Sequence, residues 1–86
     1  MGEVKPRKLL QTIIAGGKNV AFDDMVRLVE AFGFRLARVR SSHHIFVHAN
    51  VNELINLQKI KGKAKPYQIR QFLKLVERYH LELEDA

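Results

Sequence analysis

The stretch VEAFGFRLARVRSSHHIFVH, from Val29 to His48, changes its hydrophobic period partway along, and that change decides the fold. In FDDMVRLVEAFG (22–33), Phe22, Val26, Val29 and Phe32 form one stripe with Met25 and Leu28 beside it, the spacing of an amphipathic helix. Asp23 and Asp24 fall in the first turn, where carboxylates complement the helix dipole, and Gly33 supplies the C-terminal stop. After Gly33 the period becomes two. FRLARVR (34–40) alternates Phe34 and Leu36 with Arg35 and Ala37, which predicts a half-buried strand. Ser41-Ser42 makes a tight turn, and HHIFVH (43–48), rich in β-forming residues, pairs back as a hairpin.

Outward from this stretch the pattern stays regular. Leu9, Leu10, Ile13 and Ile14 recur at helical spacing after Pro6 and stop at Gly16-Gly17. LINLQKI (54–60) predicts a third strand and KGKA (61–64) a loop. Pro66 then opens a last helix in which Ile69, Phe72, Leu73, Val76 and Tyr79 keep a 3.6 period. The order α-α-β-β-β-α predicts an α+β domain of two layers: a three-stranded antiparallel sheet with helices on one face. Val26, Val29, Phe32, Leu36, Ile69, Phe72, Leu73 and Val76 are the expected core.

The chain has 86 residues, enough for one domain that buries about 60–65% of its unfolded surface. Hydrophobic residues make up 47%, which supports folding, and the absence of cysteine excludes disulfides and thiolate metal sites. The start MGEVKPRKLLQTIIAGG faintly imitates a signal peptide, but Gln11 and Thr12 break its apolar run and it is too short to span a membrane. A cytoplasmic protein without a membrane partner is the expectation. Fifteen Lys and Arg against nine Asp and Glu give +6, and three of the acids (Glu82, Glu84 and Asp85) sit in the final LELEDA. The rest of the chain is therefore more basic still, which points to an anionic partner, most often nucleic acid. A basic domain with no polyanion partner is the plain alternative.

Three of the four histidines, His43, His44 and His48, lie within six residues. In a strand His44 and His48 share one side with Phe46, while His43 points the other way with Ile45 and Val47. Two strand histidines without a nearby acid or cysteine make a poor zinc set, so no metal site is expected. Ser41 and Ser42, sequence neighbours of His43 in a turn, are badly placed to act as activated nucleophiles. Ordinary solvated polar residues are the reading for His48 and His80. General acid–base chemistry on RNA is the fourth reading: a histidine takes the 2′-hydroxyl proton and gives one to the leaving oxygen. That route needs cations to hold the phosphate, which Arg38 and Arg40 supply, and no metal, cofactor or protein nucleophile.

The later basic residues fit such a partner. Lys59, Lys61, Lys63 and Lys65 lead every second residue into a helix N-terminus, and Arg70, Lys74 and Arg78 recur as a stripe along that helix. Lys61, Lys63, Lys65, Arg70 and Lys74, with Arg38 and Arg40, are the expected RNA-binding residues; a helix face charged only for solubility is the competing reading. Tyr67 is expected to pack on the sheet rather than stack on a base.

VEAFGFRLARVRSSHHIFVH also resembles the signature of the HicA family, the toxins of type II toxin–antitoxin pairs. The family shows a helix ending in Gly-Phe, a strand carrying Arg, then Gly-Ser-His and an apolar strand. Here these are Gly33-Phe34, Arg38, and Ser41-Ser42-His43-His44-Ile45-Phe46. The resemblance covers roughly Phe22 to Leu81. It divides the chain into an N-terminal helical extension (1–19), a toxin domain (20–81) and an acidic tail (82–86). It implies a fold similar to a double-stranded-RNA-binding domain, α-β-β-β-α, and GKAK (62–65) loosely resembles the phosphate-contacting lysines of such domains. It further implies a ribosome-independent mRNA interferase with His43 as catalytic residue and His44 as the backup, and a HicB-type antitoxin covering the active face. The alternative is a non-catalytic RNA-binding or antitoxin-binding module of the same fold. One position departs: Ser41 stands where the family motif has Gly. Glycine accepts a positive φ or a close approach to RNA, and serine resists both, so at the active-site turn Ser41-Ser42 three readings stay open: an altered turn, weakened activity, or a substitution that lets a lethal toxin be produced.

Overall fold

The computed structural model describes residues 5–84; the first four residues, and Asp85 and Ala86 of the acidic tail, lie outside the described residues. Helix α1 (Pro6–Ile14) and helix α2 (Phe22–Ala31) precede strands β1 (Arg35–Arg40), β2 (His43–His48), β3 (Val51–Ile60) and β4 (Lys63–Ala64), and helix α3 (Pro66–Arg78) follows. The sheet is antiparallel throughout, in the order β1-β2-β3-β4. The expected α+β architecture is present, with a short fourth strand in place of the expected loop. Lys61 and Gly62, both at positive φ (51° and 78°), form the two-residue turn that creates it. Two positive φ values match the twist of a tight hairpin.

The helices fill one side of the sheet. Phe46, Val51, Ile55 and Leu57 from the strands meet Phe22, Met25, Leu28 and Val29 of α2 and Ile69, Phe72 and Leu75 of α3. Phe72 is fully buried and stands edge-on to Phe32 (centroids 5.3 Å apart) and Phe34 (6.1 Å). Leu9 and Ile13 of α1 join the same core, and Leu81 and Leu83 pack against it from the C-terminal segment. Val26, Leu73 and Val76 are partly buried at its margin.

Leu36 departs from the expected core: it is 44% exposed, and every residue of β1 is exposed. Two features explain this. β1 is an edge strand beyond the cover of the helices, and its register with β2 slips between Leu36 and Arg38, leaving Ala37 as an extra, bulged residue. Leu36 and Val39, opposite Phe46 and His44, therefore share the helix side of the sheet without a helix above them. Tyr67 also departs from expectation. It is 49% exposed with the Lys65 ammonium 5.9 Å from its ring centre, because Gln68 and Ile69 take the inward positions of that turn.

The end of α2 shows how tightly the hairpin is joined to the helices. Its last carbonyls have no helical partners and need others. Phe34 N–H donates to Val29 O (3.1 Å) and Gly33 N–H to Glu30 O (2.9 Å), a Schellman pair with Gly33 at φ 96°. Glu84 N–H donates to Ala31 O (2.6 Å), and His48 Nε2 lies 3.1 Å from Phe32 O. A side chain at Gly33 would meet the His48 ring at 2.9 Å and the Glu84 carboxylate at 2.6 Å. Only glycine fits both the backbone angle and the space.

Candidate functional site: the open face of the sheet

Among the described residues no helix covers the second face of the sheet, and strand parity decides which side chains occupy it. Phe46 is buried on the helix side, so His44 and His48 point there too, while His43, Ile45 and Val47 point to the open side. The slip at Ala37 does the same sorting on β1. Regular alternation would split Arg35 from Arg38 and Arg40; with one residue bulged, all three lie opposite open-face residues of β2. Arg40 is paired with His43, Arg38 with Ile45 and Arg35 with Val47. On β3, Gln58 stands opposite His43 and Asn56 opposite Ile45.

Each strand histidine has its own surroundings. His43 is half-buried, with Nδ1 3.2 Å from Asn56 Oδ1. His44 lies on the other side, its ring 4.7 Å from that of Phe22 and its Nδ1 3.3 Å from Ser42 O. His48 is held at both nitrogens: Nε2–H donates to Phe32 O, and Nδ1 accepts from Asn50 N–H at 3.0 Å. Its ring also rests edge-on against Phe34, 4.9 Å away. His48 is thus a structural bracket between β2 and the end of α2. Among the described residues no group of three His, Cys, Asp or Glu could hold a metal ion.

The turn beside His43 is tied to the sheet. Ser42 O accepts from Lys59 N–H (3.1 Å), and Ser42 Oγ lies 3.4 Å from Gln58 Nε2. Ser41, at φ 56°, adopts the left-handed conformation that the sequence reading expected serine to resist. A positive φ at the first of two loop residues is the hairpin geometry in which glycine is preferred. Below the sheet, Gln68, 2% exposed, accepts from Gln58 N–H at 2.7 Å through Oε1. β4 ends at Ala64, opposite Lys59, so Gln68 serves the next outward-facing N–H of β3 in place of a longer strand.

The basic candidates are distributed over two layers. Arg38 and Arg40 share the open face with His43. The Ser41-Ser42 and Lys61-Gly62 turns lie at the same end of the sheet, because β2 begins where antiparallel β3 ends. Lys61 and Lys63 therefore sit near the His43 end, with Lys63 Nζ 3.4 Å from Asn19 O and Lys65 following at the start of α3. Arg70 and Lys74 belong to the helix layer. Arg70 lines a cleft with Ile14, Lys18 and Leu73, and Lys74 lines another with Glu53, Leu54 and Gln71. Arg78, third in that stripe, is ion-paired to Glu53 at 2.8 Å, where Tyr79 also donates a hydrogen bond (3.1 Å). Arg35, Asn56, Gln58 and Gln68 surround the site without standing out in the local sequence. Period two over Leu54–Ile60 marks Asn56 and Gln58 as sharing a face, and that was the available signal.

The fold and this face define a small basic α+β domain with one open-face histidine set among arginines. Residues 22–77 match the family model for the HicA toxin of bacterial toxin–antitoxin systems. The match runs from the first residue of α2 almost to the end of α3 and takes in every strand, so the chain belongs to the HicA toxin family. No curated protein and no solved structure matches it. α1 lies outside the matched region although it contributes Leu9 and Ile13 to the core. No described helix is long and apolar enough to cross a membrane.

Proposed function

We propose that this protein is an endoribonuclease toxin that cleaves mRNA without a metal ion, and that a HicB-type antitoxin restrains it by covering the open sheet face. The observation that carries this reading is the pairing of His43 with Arg40 on that face, with Arg38 one pair along. His43 accepts the 2′-hydroxyl proton as the 2′-oxygen attacks the adjacent phosphorus. The P–O5′ bond breaks, the imidazolium returns a proton to the departing 5′-oxygen, and a 2′,3′-cyclic phosphate remains. Arg38 and Arg40 hold the phosphate and the charge that develops on it. Lys61, Lys63 and Lys65 continue the cationic path at the turn end of the sheet, and Arg70 and Lys74 extend it onto α3. His44, on the opposite side of β2, serves the fold at Phe22 in this reading.

The test is cleavage of a defined mRNA by purified protein, with and without EDTA, beside a matched DNA strand. RNA cleavage should persist in EDTA and DNA should survive, because the 2′-hydroxyl is the nucleophile. His43→Ala should keep the fold and lower cleavage by about 10²–10⁴-fold, the usual worth of acid–base catalysis. Equal cleavage by wild type and His43→Ala would overturn the mechanism. RNA binding without cleavage in the wild type would leave a non-catalytic module of the same fold.

A further inference from the structure

We infer that Asn56 is a positioning residue for His43, fixing which ring nitrogen carries the hydrogen; this rests on the ribonuclease reading above. The two residues meet on a diagonal of the β2–β3 ladder, since His43 is paired with Gln58 and Asn56 with Ile45. That diagonal is within reach of a side-chain hydrogen bond, and the distance between His43 Nδ1 and Asn56 Oδ1 is 3.2 Å.

An amide oxygen only accepts, so the nitrogen facing it must bear hydrogen. Neutral imidazole has one N–H. With that hydrogen at Nδ1, the lone pair sits on Nε2, the nitrogen Asn56 does not engage. The contact also survives the reaction: once Nε2 has taken a proton, Nδ1–H still donates to the same oxygen. The ring then has no reason to rotate between accepting a proton and returning it.

The choice of a neutral acceptor follows from the charges nearby. Arg40 and Arg38 on β1 are the charged groups flanking His43 on this face; β3 offers the neutral Asn56 and Gln58, and no helix covers the face. A carboxylate at position 56 would make the same hydrogen bond but would hold the imidazole proton more tightly. Asn56 fixes orientation without that added affinity for the proton. The β3 backbone beneath it is itself anchored, through the buried Gln68 that accepts from Gln58 N–H.

The experiment compares wild type, Asn56→Ala and Asn56→Asp by ¹⁵N NMR of the His43 ring, circular dichroism and RNA cleavage across pH, with His43→Ala as the blank. Unchanged dichroism shows that each variant folds. Wild type and Asn56→Asp should show hydrogen at Nδ1 in the neutral ring, and Asn56→Ala a mixture of tautomers. Asn56→Asp keeps an acceptor for Nδ1–H and should hold kcat well above that of Asn56→Ala. Asn56→Ala should lower kcat roughly 10–100-fold with a smaller change in KM. If Asn56→Ala keeps the wild-type tautomer and pH profile while His43→Ala is inactive, the Asn56 role is wrong and the ribonuclease reading stands. If His43→Ala cleaves like wild type, both fall.

Discussion

Ser41→Gly should stabilise this protein, and by an amount set by one backbone angle. Ser41 is the first residue of the two-residue turn between β1 and β2 and sits at φ 56°. An L-residue in the left-handed region is disfavoured by roughly 1–2 kcal/mol, from the approach of Cβ to the following carbonyl oxygen. Glycine escapes that term but loses about 0.5–1 kcal/mol in extra chain entropy on folding. The Ser41 hydroxyl takes part in none of the described hydrogen bonds, whereas Ser42 carries the contacts to Gln58, Lys59 and His44. Little else is lost with the side chain, so the middle of the two ranges gives a net gain of about 0.75 kcal/mol. In a domain of this size that corresponds to a rise in Tm of roughly 3–6 °C. Thermal unfolding of wild type, Ser41→Gly and Ser41→Ala measures it; the alanine variant keeps the strain and should not gain. Because serine already holds the turn open, cleavage by Ser41→Gly should stay within a few-fold of wild type. A Tm at or below wild type for Ser41→Gly, or an equal rise for Ser41→Ala, would refute the strain argument. A large gain in cleavage would mean that Ser41 obstructs the site itself.

Two further outcomes follow from burial and from charge. Phe72→Ala empties a fully buried site between Phe32 and Phe34 and should cost about 3–5 kcal/mol in chemical denaturation; a loss under 1 kcal/mol would mean that α3 does not dock as described. Removing any one phosphate-contacting cation among Arg38, Arg40, Lys61, Lys63 and Lys65 should flatten the dependence of log K on log salt by about 0.7–0.9 in an RNA-binding titration. The same flattening at Arg70 or Lys74 would extend the RNA path around the end of the sheet onto α3, and unchanged affinity after neutralising Arg38, Arg40 and Lys61 together would remove the open face from RNA binding.

The elements were legible because period and punctuation agree along the chain. α2 and α3 each pair a strong apolar stripe with a recognisable boundary, Gly33 in one and Pro66 in the other. What escaped depends on pairing rather than on local pattern. Leu36 reads as half-buried in any strand of regular alternation; its exposure comes from an edge position and from Ala37, a bulge that only the register with β2 reveals. β4 escaped because two residues are too few to show a period, and its existence rests on the turn at Lys61-Gly62. Gln68 falls inside an amphipathic helix where a polar residue reads as solvent-facing, although its side chain serves a β3 backbone group left unpaired by the end of β4.

The candidate site was legible by half for the same reason. Alternation alone separates His43 from His44 and His48, but it does not say which side of the hairpin the helices cover. Phe46 settles that, because a buried phenylalanine between His44 and His48 commits both imidazoles to the helix side. His48 is then spent on the C-terminal carbonyls of α2 and His44 on Phe22, and His43 is left on the open face. The bulge at Ala37 brings three arginines to that face, and antiparallel β3 brings an amide to the His43 ring. In the proposed reading, one imidazole beside a neutral amide and flanked by guanidiniums moves a proton next to a phosphate, a narrower chemistry than the cluster of three in the sequence suggests.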